Sequence, residues 1–150
     1  MKITTSNFGE LQILDENIIT FEKGILGFKD NTKYVIINDD EEDSPFCWLQ
    51  SIEEPSLAFA MVNPFLVHEN YSPKLSNNQI ETLGAIDSQK DYSILAIMTI
   101  PDDVEKMSAN LMAPVVINIK TKKAIQIIVE GDQYPVKYYL FEQIKKRQIK

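Results

Sequence analysis

Short apolar stretches separated by turn-forming residues run along most of the chain. Apolar stretches of about four to eight residues, bounded by Gly, Pro, Asn or Asp, are typical of β-strands. The pattern predicts eight strands, at residues 9–14, 17–21, 33–38, 46–51, 57–64, 92–100, 114–120 and 124–130. Because few connections are long enough to hold a crossover helix, the sheet is predicted to be mostly antiparallel.

Alternation of apolar and polar residues indicates which faces of these strands are buried. In the strand at 114–120, Val115 and Ile117 share one face, and Asn118 and Lys120 lie on the other. This alternation predicts a strand with one buried face. The strand at 92–100 is apolar on both faces, so a second layer is expected to cover its outer side.

The segments between the predicted strands contain turn and helix signals. Residues 15–17 and 121–123 are predicted to be hairpin turns between neighbouring strands. Helix signals occur at 76–86, which starts at the N-cap residue type Ser76 and reaches Gly84, and at 101–114, which starts at a proline and two aspartates. Near the C-terminus, one helical face could hold Tyr138, Phe141 and Ile144. Eight strands with two or three short helices favour a compact, β-barrel-like single domain, closed or nearly closed.

Charge is distributed unevenly. The chain of 150 residues has a net charge of −7. Residues 137–150 contain five lysine or arginine residues and one glutamate, a net +4, which leaves −11 for residues 1–136. We therefore expect a β-barrel-like domain at 1–136, followed by a basic C-terminal tail or short helix at 137–150. An acidic body repels phosphate backbones, so direct nucleic-acid binding is not expected.

One acidic run stands out from the rest of the chain. It consists of Asp39, Asp40, Glu41, Glu42 and Asp43. Such a run is usually the solvated tip of a loop. The alternative is that it steers a basic partner protein towards the surface, since patches of one sign speed association.

The single cysteine and the single histidine are the best candidates for catalytic chemistry. Cys47 lies next to the only tryptophan, Trp48, and a catalytic cysteine would need His68 as its base. Nothing in the sequence brings the two together, and a free cysteine on a strand is more often a small buried apolar residue. We therefore expect Cys47 to be structural and the protein not to be an enzyme.

No cofactor, metal site or membrane segment is expected. One histidine and one cysteine cannot build a zinc site without several carboxylates, and the acidic run lacks the ligand spacing of a calcium loop. Gly24 and Gly27 do not form a phosphate-binding motif and are predicted to shape a turn. No stretch reaches the roughly 20 apolar residues of a membrane-spanning helix, and the N-terminus lacks the apolar core of a signal peptide. A cytoplasmic protein is therefore expected.

Three segments occur in an order and at spacings that are specific in combination. They are FEKGILGF at 21–28, FCWLQSIEEPSLAFAMVNPF at 46–65 and SANLMAPVVINIKTKKAIQIIV at 108–129. Together they resemble the bacterial flagellar assembly factor FliW family, from FGELQI to about Tyr134. Ser108 is a conservative departure, because the family pattern usually has Thr at that place.

The resemblance implies a non-enzymatic, β-barrel-like cytoplasmic protein, expected to be a monomer when free, that binds flagellin before its export. It also implies binding to CsrA, a dimeric RNA-binding protein that represses flagellin translation, at a position outside the RNA site of CsrA. Flagellin and CsrA compete in this scheme. Export of flagellin therefore frees the factor to bind CsrA and lift the repression.

A match to the family motifs does not separate core residues from interface residues. Residues expected to be structural are Gly24, Gly27, Phe28, Trp48, Leu49 and Phe59, with Trp48 and Phe59 in the core. Residues expected to contact a partner, because they lie in a connection, are Met107, Asn110, Leu111 and Pro114. The acidic run at 39–43 is expected to contribute to partner contacts as well.

Two other hypotheses of function remain open from the sequence. The first is an export chaperone that only shields the helical ends of flagellin, which would need neither an acidic face nor CsrA. The second, more remote, is a small hydrolase or small-molecule-binding barrel that uses Cys47 and His68.

Overall fold

The computed structural model describes residues 1–41, 44–84, 91–131 and 133–149, with side chains up to Lys146. The strands, in chain order, are β1 (Lys2–Thr5), β2 (Gly9–Gln12), β3 (Ile19–Thr20), β4 (Lys33–Asn38), β5 (Phe46–Ser51), β6 (Ala58–Val62), β7 (Tyr92–Thr99), β8 (Ser108–Ala109), β9 (Val115–Asn118), β10 (Ala124–Gln126) and β11 (Tyr138–Tyr139). The α-helices are α1 (Asn77–Thr82) and α2 (Phe141–Ile149). The predicted all-β class is confirmed.

One antiparallel sheet forms the body, with its strands in the order β10-β9-β7-β6-β5-β4-β3. The sheet curls until its two edges meet at one point, where Thr20 of β3 forms a parallel bridge with Lys123. The Thr20 N–H donates to the Lys122 carbonyl at 2.8 Å. Among the described residues the strand pairing does not close further, so the sheet is a nearly closed barrel.

The two faces of β7 lie against different core clusters. Leu95 packs in a first cluster inside the curled sheet, with Phe21, Leu49 and other residues. Ala96 and Met98 pack in a second cluster on the other side. The expectation that a second layer covers the outer side of this strand is confirmed.

The prediction of one solvated face for the strand at 114–120 is wrong. All four residues of β9 are buried. Val115 and Ile117 join the first cluster, whereas Val116 packs with Leu83 in a third cluster. The polar Asn118 is buried too, because its side-chain amide donates to the Leu83 carbonyl at 2.9 Å. The segment that ends α1 therefore covers a face that alternation assigned to water.

The N-terminal hairpin differs from the prediction. Residues 15–17 form a 3-10 helix rather than a hairpin turn. β2 pairs with the preceding β1, which the apolar pattern missed, and β3 pairs with β4. The real turn is held by Thr5, whose hydroxyl accepts from the Phe8 N–H at 2.8 Å.

Of the two predicted internal helices, the one at 76–86 is confirmed over Asn77–Thr82, while its residues 85 and 86 lie outside the described residues. The one at 101–114 is wrong. Ser76 and Gln79 form a reciprocal capping box at the start of α1, and Gly84 beyond its end has φ +90°. The segment 101–114 instead contains a 3-10 turn at Val104–Lys106 followed by β8. The backbone of β8 pairs with both β7 and β11, and these pairings outweigh the local helix signal.

The C-terminal segment is packed against the body. Tyr138 lies in β11 and not on a helical face, so the helix predicted there begins only at Phe141, as α2. Leu140 is fully buried in the second cluster, and its N–H donates to the Met107 carbonyl at 3.1 Å. Residues 138–144 are thus held by both strand pairing and core contacts.

Candidate functional site

An apolar groove of about 450 Å³ lies between the turn at 23–29, the segment 110–113 and the segment 126–128. Its apolar lining consists of Leu26, Met112, Ala113, Ile128 and Val136. Leu26 is 71%, Ile128 63% and Val136 59% exposed. Side chains of this size are exposed together in few places on a soluble protein, and such groups mark sites of interaction.

Lysines flank this groove. Lys23 and Lys29 line it and are exposed, and among the described lining residues they are the two that carry charge. The chain as a whole has a net charge of −7. The groove is therefore an apolar site whose charged lining residues, within the described chain, are both lysines, on a protein that is acidic overall.

The turn that carries Leu26 requires glycine. Gly24 has φ +67°, and a Cβ at this position would lie 2.6 Å from the Lys29 Cα atom. Gly27 has φ +89°, but a Cβ there would have open space around it. Gly24 thus lets the chain fold back on itself so that Lys29 and Leu26 both reach the groove, as expected for a turn-forming residue.

The side chain of Gln126 joins two motif segments beneath the groove. Its Oε1 accepts from the Leu26 N–H at 3.0 Å, and its Nε2 donates to the Ala113 carbonyl at 3.1 Å. The segment around Leu26 and the segment that ends at Pro114 are far apart in sequence. Gln126 therefore fixes their relative position with both ends of one amide.

Asn110, predicted as a partner contact, has a structural role in the groove wall. Its Oδ1 accepts from the N–H groups of Met112 and Ala113, at 3.1 and 3.0 Å. The residue is half-buried and lines the groove. Asn110 thus shapes the turn that presents Met112.

The prediction that 107–114 is an exposed connection is wrong for five of its eight residues, and two of these five were expected to contact a partner. Leu111 is fully buried and Pro114 is buried, so neither side chain reaches the surface. The Leu111 carbonyl accepts a hydrogen bond from the Tyr71 hydroxyl at 2.7 Å. Met107 is half-buried against the second cluster. The surface of this segment is carried by Asn110 and Met112 instead.

The acidic run lies at a distinct loop. Asp39, Asp40 and Glu41 are exposed, whereas Glu42 and Asp43 lie outside the described residues. One Asp39 oxygen accepts from the Ser44 hydroxyl at 2.8 Å, which joins the two sides of the loop. The three described carboxylates are available to a partner.

Motif residues expected to be structural occupy different environments. Leu49 is fully buried in the first cluster. Phe59 packs at the margin of this cluster and makes a T-shaped contact with Phe28, ring centroids 5.2 Å apart. Trp48 is only half-buried and contacts Phe8 on the other face of β5, so its expected place in the core is corrected.

Cys47 and His68 are not brought together. Cys47 is buried in the first cluster, and burial raises the pKa of its thiol to about 11. His68 lies instead against Tyr71, Tyr134 and Tyr138, with ring centroids 6.1, 5.7 and 5.2 Å away. A thiol with a raised pKa is a poor nucleophile at neutral pH. The Cys–His pair that a hydrolase would need is therefore not formed by these residues.

His68 and the three tyrosines form an aromatic cluster that ties the C-terminal segment to the body. The Tyr138 hydroxyl donates to the Val67 carbonyl at 2.9 Å. Burial, and to a lesser extent Tyr134, raises the pKa of the Tyr71 hydroxyl. The His68 Nδ1 atom is buried without a hydrogen-bond partner among the described residues.

The described residues include no group of three or more His, Cys, Asp or Glu side chains placed to bind a metal ion. Within the same part of the chain, no helix has the length and apolar character needed to cross a membrane.

Sequence reasoning missed the apolar side chains that define the groove, namely Leu26, Ile128 and Val136. Ile128 had a usable signal, because it is an isoleucine on the strand face shared with Gln126 and Glu130. Leu26 had another, because it is apolar but lies between two turn glycines. Val136 and the bridging role of Gln126 depend on contacts distant in sequence.

Comparison with known proteins gives a consistent result. The model of the family described as FliW protein matches residues 2–140. The flagellar assembly factor FliW of Ruminiclostridium cellulolyticum is 41% identical over 149 residues, which cover 99% of this chain and 100% of that protein. The FliW of Caldicellulosiruptor bescii is 42% identical over 137 residues, covering 91% and 88%. A crystal structure of the flagellar assembly factor FliW superposes with a TM-score of 0.85 at 33% identity, covering 94% of this chain and 97% of that chain.

Proposed function

The chain belongs to the FliW family of flagellar assembly factors, and from that premise we propose that it is a cytoplasmic, non-enzymatic partner switch. It binds flagellin and, once released from flagellin, binds and antagonises the translational repressor CsrA. The free protein is a monomer in this scheme. Binding to CsrA removes the repression of flagellin translation, so synthesis follows export.

The observation that carries the proposal is the exposed apolar groove at the meeting point of two motif segments. A groove with exposed Leu26, Ile128 and Val136 is suited to a protein segment with apolar side chains. The Gln126 amide and the Asn110 Oδ1 in its lining are engaged in holding its walls, which leaves mainly apolar side chains to contact a partner.

The acidic loop supports a second, chemically different partner. Asp39, Asp40 and Glu41 are exposed at a loop tip, where carboxylates attract a basic surface. An RNA-binding protein such as CsrA carries basic surface, which draws an acidic partner towards it even when the contact itself lies outside the RNA site. The acidic loop thus offers a site for a basic partner, whereas a chaperone for flagellin alone would have no use for it.

A competition titration tests the switch. The protein is loaded with CsrA from the same cell in a calorimeter and then challenged with monomeric flagellin. Displacement of CsrA by flagellin is the expected result. If flagellin binds but CsrA does not, the export chaperone replaces the switch as the function of this protein.

Charge removal at the acidic loop tests the role of the loop. The variant Asp39→Asn, Asp40→Asn, Glu41→Gln should slow association with CsrA and weaken its dependence on salt. The matched control is Asp15→Asn, Glu16→Gln, Asp30→Asn, which removes the same charge from other exposed positions. Equal association rates for the two variants would show that only net charge matters and that the loop has no special part.

A further inference from the structure

We propose that the groove is the docking site for an amphipathic helix whose apolar stripe is flanked by carboxylates. The inference deepens the proposed function and rests on it in one respect, because flagellin is the protein expected to supply this helix. It assigns the groove to one of the two partners and the acidic loop to the other.

The apolar character of the groove floor follows from the register of the sheet. The Ile127 N–H donates to the Pro114 carbonyl at 3.0 Å and the Val129 N–H to the Met112 carbonyl at 2.7 Å. Pairing of the two chain segments thus continues past the ends of β9 and β10. By alternation, Ala113 and Ile128 lie on the face that holds Val115 and Ala124 in the core. The groove floor is therefore core-type surface that no element of the described chain covers.

The shape of the strand edge favours a helix over an added strand. Two neighbouring segments already lie along the edge of the 123–128 segment that faces away from β9. Thr20 bridges to Lys123, and the turn carrying Leu26 bonds to the side chain of Gln126. The bond to Gln126 is made by its side chain, but the turn that makes it lies beside this edge. An added strand would therefore find space mainly around Ile128, which is short compared with the roughly five residues of an ordinary strand. Side chains, rather than backbone hydrogen bonds, must therefore supply the binding contacts.

The charged residues of the groove lining indicate which side chains flank the apolar stripe of the docking helix. The charged side chains on the described lining are Lys23 and Lys29, and both are exposed. Carboxylates on either side of the stripe would meet these lysines, whereas a basic helix would meet like charge. The groove is thus unsuited to a basic RNA-binding protein, and the acidic loop is unsuited to an acidic helix.

The groove is also ready for binding before a partner arrives. The amide of Gln126 and the Oδ1 of Asn110 together hold four backbone groups of its walls. Walls held in this way lose little conformational freedom on binding, which favours affinity.

Designed helical peptides test the chemistry without flagellin. Three labelled peptides are used: a leucine stripe flanked by glutamate, the same stripe flanked by lysine, and the glutamate version with two central prolines. We expect the glutamate peptide to bind at least tenfold more tightly than the other two, and less tightly as salt is raised. Equal binding of the glutamate and lysine peptides would overturn the charge assignment, and equal binding of the proline version would overturn the helix.

Substitutions in the groove test whether the glutamate peptide binds there. Leu26→Asp and Ile128→Asp should each weaken binding of the glutamate peptide about tenfold to a hundredfold, the effect of losing one buried aliphatic contact. Leu14→Asp is the matched control, because Leu14 is 58% exposed and does not line the groove. Lys23→Glu with Lys29→Glu should reverse the preference between the glutamate and lysine peptides, while Lys106→Glu should not. Wild-type affinity in both groove variants would refute the site.

Monomeric flagellin then separates the inference from the proposed function. If wild-type protein binds flagellin and Ile128→Asp does not, both stand. If both proteins bind flagellin equally, the groove is not its site, although the partner switch survives. If wild-type protein does not bind flagellin at all, the proposed function fails, and the peptide measurements still decide the chemistry of the groove.

Discussion

The groove and the aromatic cluster around His68 differ in which apolar groups they expose and in which polar groups they leave without a hydrogen bond. The groove leaves Leu26 and Ile128 to solvent, yet the backbone groups of its walls are paired through Gln126 and Asn110. The cluster buries Tyr71 and, among the described residues, leaves the His68 Nδ1 without a partner. Because the backbone groups of the groove walls are hydrogen-bonded, the exposed apolar side chains lower the stability of the fold only through their contact with water. These side chains are available to bind a partner. Buried aromatic surface holds the fold together.

The largest effect is expected from the layer that the aromatic cluster belongs to. Leu140 is fully buried in the same core cluster as Tyr71, and Leu140→Ala should lower the free energy of unfolding by about 2–5 kcal/mol through the cavity it leaves. Its neighbour Tyr139 is 57% exposed, so Tyr139→Ala should change stability by less than about 1 kcal/mol. Urea unfolding measures both. A loss for Leu140→Ala as small as that for Tyr139→Ala would mean that the C-terminal segment is not part of the core.

The two glycines of the groove turn allow a comparison within the groove itself. Gly24→Ala should cost about 3 kcal/mol, because it combines a left-handed backbone with a contact between Cβ and the backbone of Lys29. Gly27→Ala meets no atom and should cost only the roughly 1–2 kcal/mol of the left-handed conformation. Thermal unfolding of the two variants distinguishes them. Equal losses would show that the turn can open to accept a side chain.

A smaller effect tests the polar side of the aromatic cluster. Tyr71→Phe keeps the ring but removes the donor to the buried Leu111 carbonyl, at an expected cost of about 1–3 kcal/mol. Tyr134→Phe removes a hydroxyl whose hydrogen bonds are at exposed positions, so it should cost less than about 1 kcal/mol. Chemical denaturation of the two variants gives the contrast. If Tyr134→Phe proved the more costly, the cluster would be held from its rim and not from its interior.

The smallest expected effect concerns the dry interior that continues into the groove floor. Burial raises the pKa of the Cys47 thiol from 9.0 to about 11. The unfolded chain therefore loses this proton at lower pH than the folded protein, so stability falls as pH rises from about 9 to 11. The contribution lost by pH 10 is about 1 kcal/mol, and Cys47→Ala should show a correspondingly shallower decline. Identical pH profiles would mean that water reaches the thiol.

The local sequence pattern was sufficient to predict those strands and helices whose apolar periodicity or capping residue lies within the element itself. The bounds of β4 and β5 match the predicted segments, and Ser76 caps α1 as its residue type suggests. The helix predicted at 101–114 failed because Ser108 and Ala109 pair with two strands distant in sequence. The solvated face predicted for β9 failed for a similar reason, since Leu83 covers Val116.

The sequence by itself determined the all-β class, most of the strands, the acidic character and, through its three motifs, the family. Those properties depend on local periodicity, composition and residue order, all of which are contained in the linear sequence. Only the tertiary structure decided that Leu111 and Pro114 are buried, that Cys47 and His68 lie apart, and that Leu26, Ile128 and Val136 share a groove. Exposure of a side chain depends on what other segments lie above it, and neither propensity nor alternation contains that information.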